Sequence, residues 1–123
     1  HPLRPTVAGG AAAAREWMQR RTSAVIAHND LMAMGFMIAV KSVGIEVPRD
    51  VSVVGTDNIF MSALFTPALT TVTTSRNTQG KLAFNQLVEL VRHQHRDTGH
   101  LTTSIAMKLV ERDSTAQVPS LHR

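Results

Sequence analysis

Two short polar clusters carry most of the chemistry this chain can offer: Asn29-Asp30, after the apolar run Ala24 to Ala27, and Gly55-Thr56-Asp57, after the apolar run Val51 to Val54. An amide side chain both donates and accepts hydrogen bonds and a carboxylate accepts several, so such tips suit a small polar ligand. Read instead as an acid and a base, Asp30 and Asp57 would need a nucleophile, an activated base or a phosphate loop beside them, and none accompanies them. The layout describes a binding crevice and not an enzyme. Cysteine is absent, which removes disulfides, thiolate metal sites and thiol catalysis. His93, His95 and His100 have loose metal-like spacing, yet without cysteines or close carboxylates they read as a solvated helix end, with His93 at the negative pole of the helix dipole. No metal and no cofactor is expected.

These clusters must be held by a strand, helix, strand unit. Ala24 to Ala27, bounded by Thr22-Ser23 and Asn29-Asp30, reads as a buried parallel strand. From Leu31 to Val40 no side chain is polar, Lys41 and Ser42 are the first that are, and Gly44 with Pro48 beyond it supplies a helix stop. Val51 to Val54 is the second strand. Both clusters then lie past the carboxyl ends of neighbouring parallel strands, where open α/β sheets bind ligands. By spacing alone Asn29 reads equally as a helix cap or a ligand contact. Asp30 reads first as the N-cap and only second as a ligand contact, His28 as a hydrogen-bonded histidine at the strand end, and Asp57 as a ligand contact ahead of a turn aspartate.

The remainder extends an α/β pattern, giving a partial doubly wound parallel sheet as the expected fold. Gly9-Gly10 opens an alanine-rich helix to Arg20, Ile59 to Phe65 forms one or two helical turns ended by Thr66-Pro67, and Leu69 to Ser75 is β-branched and extended. Thr78 to His93 is a long helix with Ala83, Leu87, Leu90 and Val91 in one stripe. Thr103 to Arg112 alternates as a half-buried strand, with Ile105, Met107 and Leu109 on one face, and Asp113 to Arg123 is a polar tail. The 123 residues, 43% apolar, make one domain or part of one. No apolar run approaches the roughly 20 residues of a membrane span, so no membrane partner is expected. A net charge of +4 would permit nucleic-acid contact, but the basic residues are scattered. Lack of cysteine and of a secretory pattern in His1-Pro2-Leu3-Arg4-Pro5 points to the cytoplasm. The helix from Leu31 is apolar all round and a sheet covers only one face, so Met34 and its neighbours need a second cover.

The segments HNDLMAMG, GIEVPRDVSVVGTDN, TPALTTV and LVERDSTA, in this order and at these separations, resemble the C-terminal half of the effector-binding domain of LacI/GalR-type transcriptional repressors, from about Thr6 to Ala116. The resemblance implies a type I periplasmic-binding-protein-like fold, in which two α/β subdomains clamp a sugar or other small metabolite and their closure repositions DNA-binding headpieces. It assigns residues 1–74 to the C-terminal subdomain, 75–101 to a crossover and helix of the N-terminal one, and 102–123 to a returning strand and tail. The headpiece is absent from this chain, so DNA is a partner only through it. Asn29 and Asp57 correspond to residues that contact effector hydroxyls. A carboxylate can accept from two vicinal hydroxyls, and leaving such a group unpaired in a dry cleft costs about 1 to 3 kcal/mol, which gives discrimination.

Departures from the family pattern are Thr56 for an aromatic residue, Asn58 for a second aspartate and Thr74 for a glutamine that reaches the ligand. Thr74 still offers a hydroxyl, and the effector's identity stays open. Relatives dimerise through the apolar helix and the segment after the second strand, which marks Met34, Met37, Met61 and Phe65 as interface residues. With the stripe of the long helix left without its partner, the expected state is a homodimer or a swapped oligomer. The alternative function is an extracytoplasmic sugar-binding protein of a transporter, against which VPRDVSVVGTDN followed by TPALTTV favours the regulator.

Overall fold

A computed structural model describes residues 3–92 and 102–118; the His93, His95 and His100 group and the end of the tail lie outside them. The elements run α1 (Val7–Trp17), β1 (Ala24–Ile26), α2 (Asp30–Ser42), β2 (Ser52–Thr56), α3 (Phe60–Leu64), β3 (Thr70–Thr73), α4 (Arg76–Arg92) and β4 (Lys108–Val110). They divide into two compact units, His1–Thr73 with Leu109–Arg123, and Thr74–Lys108.

The first unit holds a sheet of order β1-β2-β3-β4. β1 pairs with β2 and β2 with β3 in parallel, with Ile26 opposite Val54 and Thr56 opposite Val72. The expected strand, helix, strand unit is therefore present, as α/β structure around a partial parallel sheet, but β1 is an exposed edge strand, with Ile26 80% exposed, and not the buried one expected. Ahead of β2, Asp50 accepts from the Glu46 amide at 2.8 Å and pairs with Arg49, whose hydrogen bond holds the Asp50 carboxyl below its ordinary range. This fixes the entry into β2. The expected strand from Thr103 to Arg112 contracts to Lys108–Val110, and Met107 and Leu109 are exposed. Their alternation met no covering layer, since β4 is an edge strand.

α1 begins earlier than its alanines suggest. Thr6 caps it, accepting from the Gly9 amide at 3.1 Å, so Gly9 and Gly10 lie inside the helix. Each glycine costs about 1 kcal/mol of helix propensity. The offset is close approach: a Cβ on Gly10 would lie 2.0 Å from the Met32 carbonyl oxygen, and one on Gly35 would lie 1.9 Å from that of Val7. α1 and α2 thus meet backbone to backbone. This contact supplies a second cover for α2, and Met34 and Met37 are buried in one core with Ala14, Phe36, Val40 and Leu69. Trp17 adds an edge-on ring contact to Phe36, with centroids 5.4 Å apart.

The expectation that Met34 and Met37 face a second copy is therefore corrected, because both are buried in the core of this chain, at 4% and 3% exposure. Met61 is exposed and Phe65 half-buried. Gly35→Ala should lower stability by about 1 to 3 kcal/mol even though alanine is the better helix former, because the clash outweighs the propensity gain. A urea titration measures this. A midpoint unchanged or raised would remove the close-approach explanation.

The residues following β4 are not a polar tail throughout. Ser114 is fully buried, its Oγ donating to the Val53 carbonyl at 2.6 Å and accepting from the Thr70 amide at 2.8 Å. Its carbonyl accepts from the Val53 amide. One serine thus laces β2 to the start of β3. In the second unit, α4 starts two residues before the expected Thr78, next to Ser75, whose Oγ accepts from the Thr78 amide. Phe84, Leu87, Leu90 and Val91 are exposed, and among the described residues no helix is long and apolar enough to cross a membrane.

Candidate functional site

Because Ile26 and Val54 are opposite one another in parallel strands, Asn29 and Asp57 follow at the same offset and emerge at one edge of the sheet, its carboxyl end. Thr56 Oγ1 ties the two strands there by donating to the Ala27 carbonyl at 3.3 Å.

Asp57 and Asn58 have φ values of 106° and 49°, two consecutive non-glycine residues in left-handed backbone. Each such residue costs roughly 1 to 3 kcal/mol and persists only where its surroundings over-determine it. Those surroundings are specific. The Asp57 amide donates to the Val72 carbonyl at 2.9 Å, the Asn58 amide to Thr71 Oγ1 at 3.3 Å, and the Ile59 amide to Asp30 Oδ2 at 2.8 Å. Asn58 Oδ1 accepts from Arg112 Nη2 at 2.8 Å. The Asp57 side chain is exposed, and its carboxylate has no hydrogen-bond partner among the described residues. A strained turn presents an unpaired acceptor.

Asn29 takes the capping role expected of Asp30, and Asp30 takes neither of the roles expected of it. Asn29 is the N-cap of α2, its Oδ1 accepting from the Met32 amide at 2.9 Å while Nδ2 donates to the Pro5 carbonyl at 3.1 Å. One lone pair and one N–H are left for a ligand. Asp30 is neither a cap nor a ligand contact: it is fully buried, Oδ2 taking the Ile59 amide and Ser62 Oγ, and Oδ1 taking Thr71 Oγ1 at 2.6 Å. Donors from α3 and β3 drew it inward. His28 is exposed and makes no hydrogen bond to a described residue, contrary to expectation. Thr74 is the first residue of the second unit. Among the described residues no group of three or more metal-ligating side chains is close enough to hold an ion. Sequence reasoning missed the supports Thr71 and Arg112, for which the one available signal was an arginine two residues past the last strand.

A separate groove of about 580 Å³ lies where β2 and β3 begin, lined by Met37, Ile38, Lys41, Ile45, Phe65 and Pro67 among others. It is mostly apolar and lacks both site clusters.

Residues 1–115 match the periplasmic binding protein-like domain. The chain is 39% identical over 101 residues to the HTH-type transcriptional repressor PurR of Edwardsiella ictaluri, covering 82% of this chain and 29% of that protein. It spans under a third of the length of the curated relatives it matches. A LacI family transcriptional regulator from Arthrobacter sp. FB24, solved in complex with lactose, superposes with a TM-score of 0.78 at 31% identity over 90% of this chain and 42% of that one. The lac repressor dimer bound to operator and the anti-inducer ONPF gives 0.80 at 26% identity, over 91% of this chain and 39% of that one. With its parallel sheet, its four family segments and these likenesses, the chain belongs to the periplasmic binding protein-like domain family, and within it to the effector-binding domains of LacI/GalR-type transcriptional regulators.

Proposed function

We propose that this chain senses a small polar effector, a sugar or a similarly hydrogen-bonding metabolite, for a transcriptional repressor, with Asp57 as the principal anchor. One observation carries this reading: a carboxylate without a hydrogen-bond partner among the described residues, held in left-handed backbone at the carboxyl edge of a parallel sheet. Asn29 adds its remaining lone pair and N–H, and Thr74 a hydroxyl. Effector-linked lobe closure then changes the repressor's affinity for its operator. The chain does not catalyse, and as part of a DNA regulator it works in the cytoplasm. Relatives that are repressors favour this over a transporter's binding protein.

The functional partner is a second copy. The apolar groove, with the exposed Met61 and Leu64 and the half-buried Phe65 near it in sequence, supports a homodimer face.

Titration of the intact protein with sugars, nucleobases and phosphorylated sugars, read as anisotropy of labelled operator DNA, should find one class that shifts operator affinity by about 5- to 150-fold. If no class does so, the effector-sensing reading is lost. Sedimentation of the same protein should give a dimer, and Met61→Glu should shift it towards monomer; a wild-type monomer would remove the interface.

A further inference from the structure

We infer that Arg112 is a positioning residue for effector recognition, holding Asp57 in its binding geometry through the side chain of Asn58. The inference rests on the effector reading above and deepens it.

Two adjacent non-glycine residues at positive φ relax unless something outside the turn restrains them. Three restraints act on main-chain amides, from Val72, Thr71 and Asp30. Among the described residues only Arg112 grips a side chain of the turn. Its own amide donates to Thr70 Oγ1 at 2.9 Å and its Nη1 to the Leu69 carbonyl at 2.7 Å, which fixes the guanidinium against the start of β3. Nη2 is then left aimed at Asn58 Oδ1, at 2.8 Å. Two nitrogens of one rigid plane serving two acceptors is a geometry that lysine cannot reproduce.

Charge sets the strength of the hold. Among the described residues Arg112 forms no ion pair, so its bond to Asn58 joins a cation to a neutral amide. A carboxylate at position 58 would strengthen it. Arg112 also stands shortly after Leu109, where the chain re-enters this unit. The Asp57 turn is thereby tied to the segment by which the chain returns.

Amide hydrogen exchange in the intact protein tests this with Arg112→Lys, Arg112→Ala and Asn58→Asp. Both arginine variants should raise exchange of the Asn58 and Ile59 amides by about tenfold or more, without a matching rise in α2 or β2. Asn58→Asp should slow exchange at the same amides, a direction that general loss of structure cannot produce. Unchanged exchange at the turn, a rise spread evenly over the core, or no slowing in Asn58→Asp would each overturn the inference.

Lactose, ribose and adenine, titrated calorimetrically, form the second arm. If the wild type binds one of them, Arg112→Lys should weaken it by about tenfold at an unchanged melting temperature, and equal affinity would overturn the inference. If none binds, the loss falls on the effector reading, and the exchange result alone decides whether Arg112 holds the turn.

Discussion

Asp57→Gly is expected to abolish effector binding while leaving the protein as stable as before or slightly more so. The stability half follows from backbone geometry. At φ 106° a side chain is strained, and glycine relieves roughly 1 to 3 kcal/mol of that cost while adding about 0.5 to 1 kcal/mol of chain entropy to the unfolded state. The side chain is exposed and has no hydrogen-bond partner among the described residues, so its removal forfeits no hydrogen bond to them. The net effect runs from about zero to about 2.5 kcal/mol in favour of the folded state. The binding half follows from the carboxylate: two hydrogen bonds from ligand hydroxyls, at about 1.5 kcal/mol or more each, amount to roughly a 100-fold or greater loss.

Calorimetric titration with whichever compound moves operator affinity, beside a thermal melt, reads both halves. A melting temperature lowered by several degrees would make Asp57 a structural residue, and retained affinity would remove it as the anchor. Asp57→Asn is the graded control, because asparagine tolerates left-handed backbone but carries no charge.

Why Asp57 was legible and its neighbours were not is a matter of range. Asp57 directly follows a buried strand, and the position past the carboxyl end of a parallel strand has a meaning set by topology alone. Asn29 and Asp30 are adjacent and both are good caps, so local preference could not rank them. The decision was made by Ile59, Ser62 and Thr71, at separations of 29, 32 and 41 residues.

The same holds for packing. An all-round apolar α2 correctly signals a need for two covers, but only the Gly10 and Gly35 approach shows that α1 is the second. Those glycines read locally as a helix opener and an unremarkable helix interior. Ser114 is the sharpest case, since its hydroxyl sits in a polar stretch and nothing nearby in sequence marks it as the lace between β2 and β3. The alternation from Thr103 failed for the complementary reason, because period alone does not supply a covering layer.

The largest loss of stability belongs to Asp30→Ala, expected at about 3 to 5 kcal/mol, a substantial share of the roughly 5 to 15 kcal/mol a domain possesses. The substitution strands the Ile59 amide, Ser62 Oγ and Thr71 Oγ1, the last of which also receives the Asn58 amide. Each orphaned donor costs about 1 to 3 kcal/mol, reduced where a hydroxyl can rotate to another acceptor. Asp30→Asn should lose less, because its oxygen can keep the Ile59 amide and Ser62 Oγ while its N–H is accepted by Thr71 Oγ1, the remaining cost being the lost charge.

The sheet is hollowed to admit this carboxylate: a Cβ on Gly55 would lie 2.2 Å from Asp30 Oδ1. Gly55→Ala should therefore also destabilise, and here the two changes cease to be independent. Once Asp30 is alanine, the new methyl meets only Leu69, whose Cδ2 would be 2.9 Å away at the end of an adjustable side chain. The double variant should then cost clearly less than the sum of the singles, with an interaction of about 0.5 to 3 kcal/mol by urea unfolding. Additive losses, or an Asp30→Asn as stable as the wild type, would show that the buried carboxylate fills space without organising the turn above it.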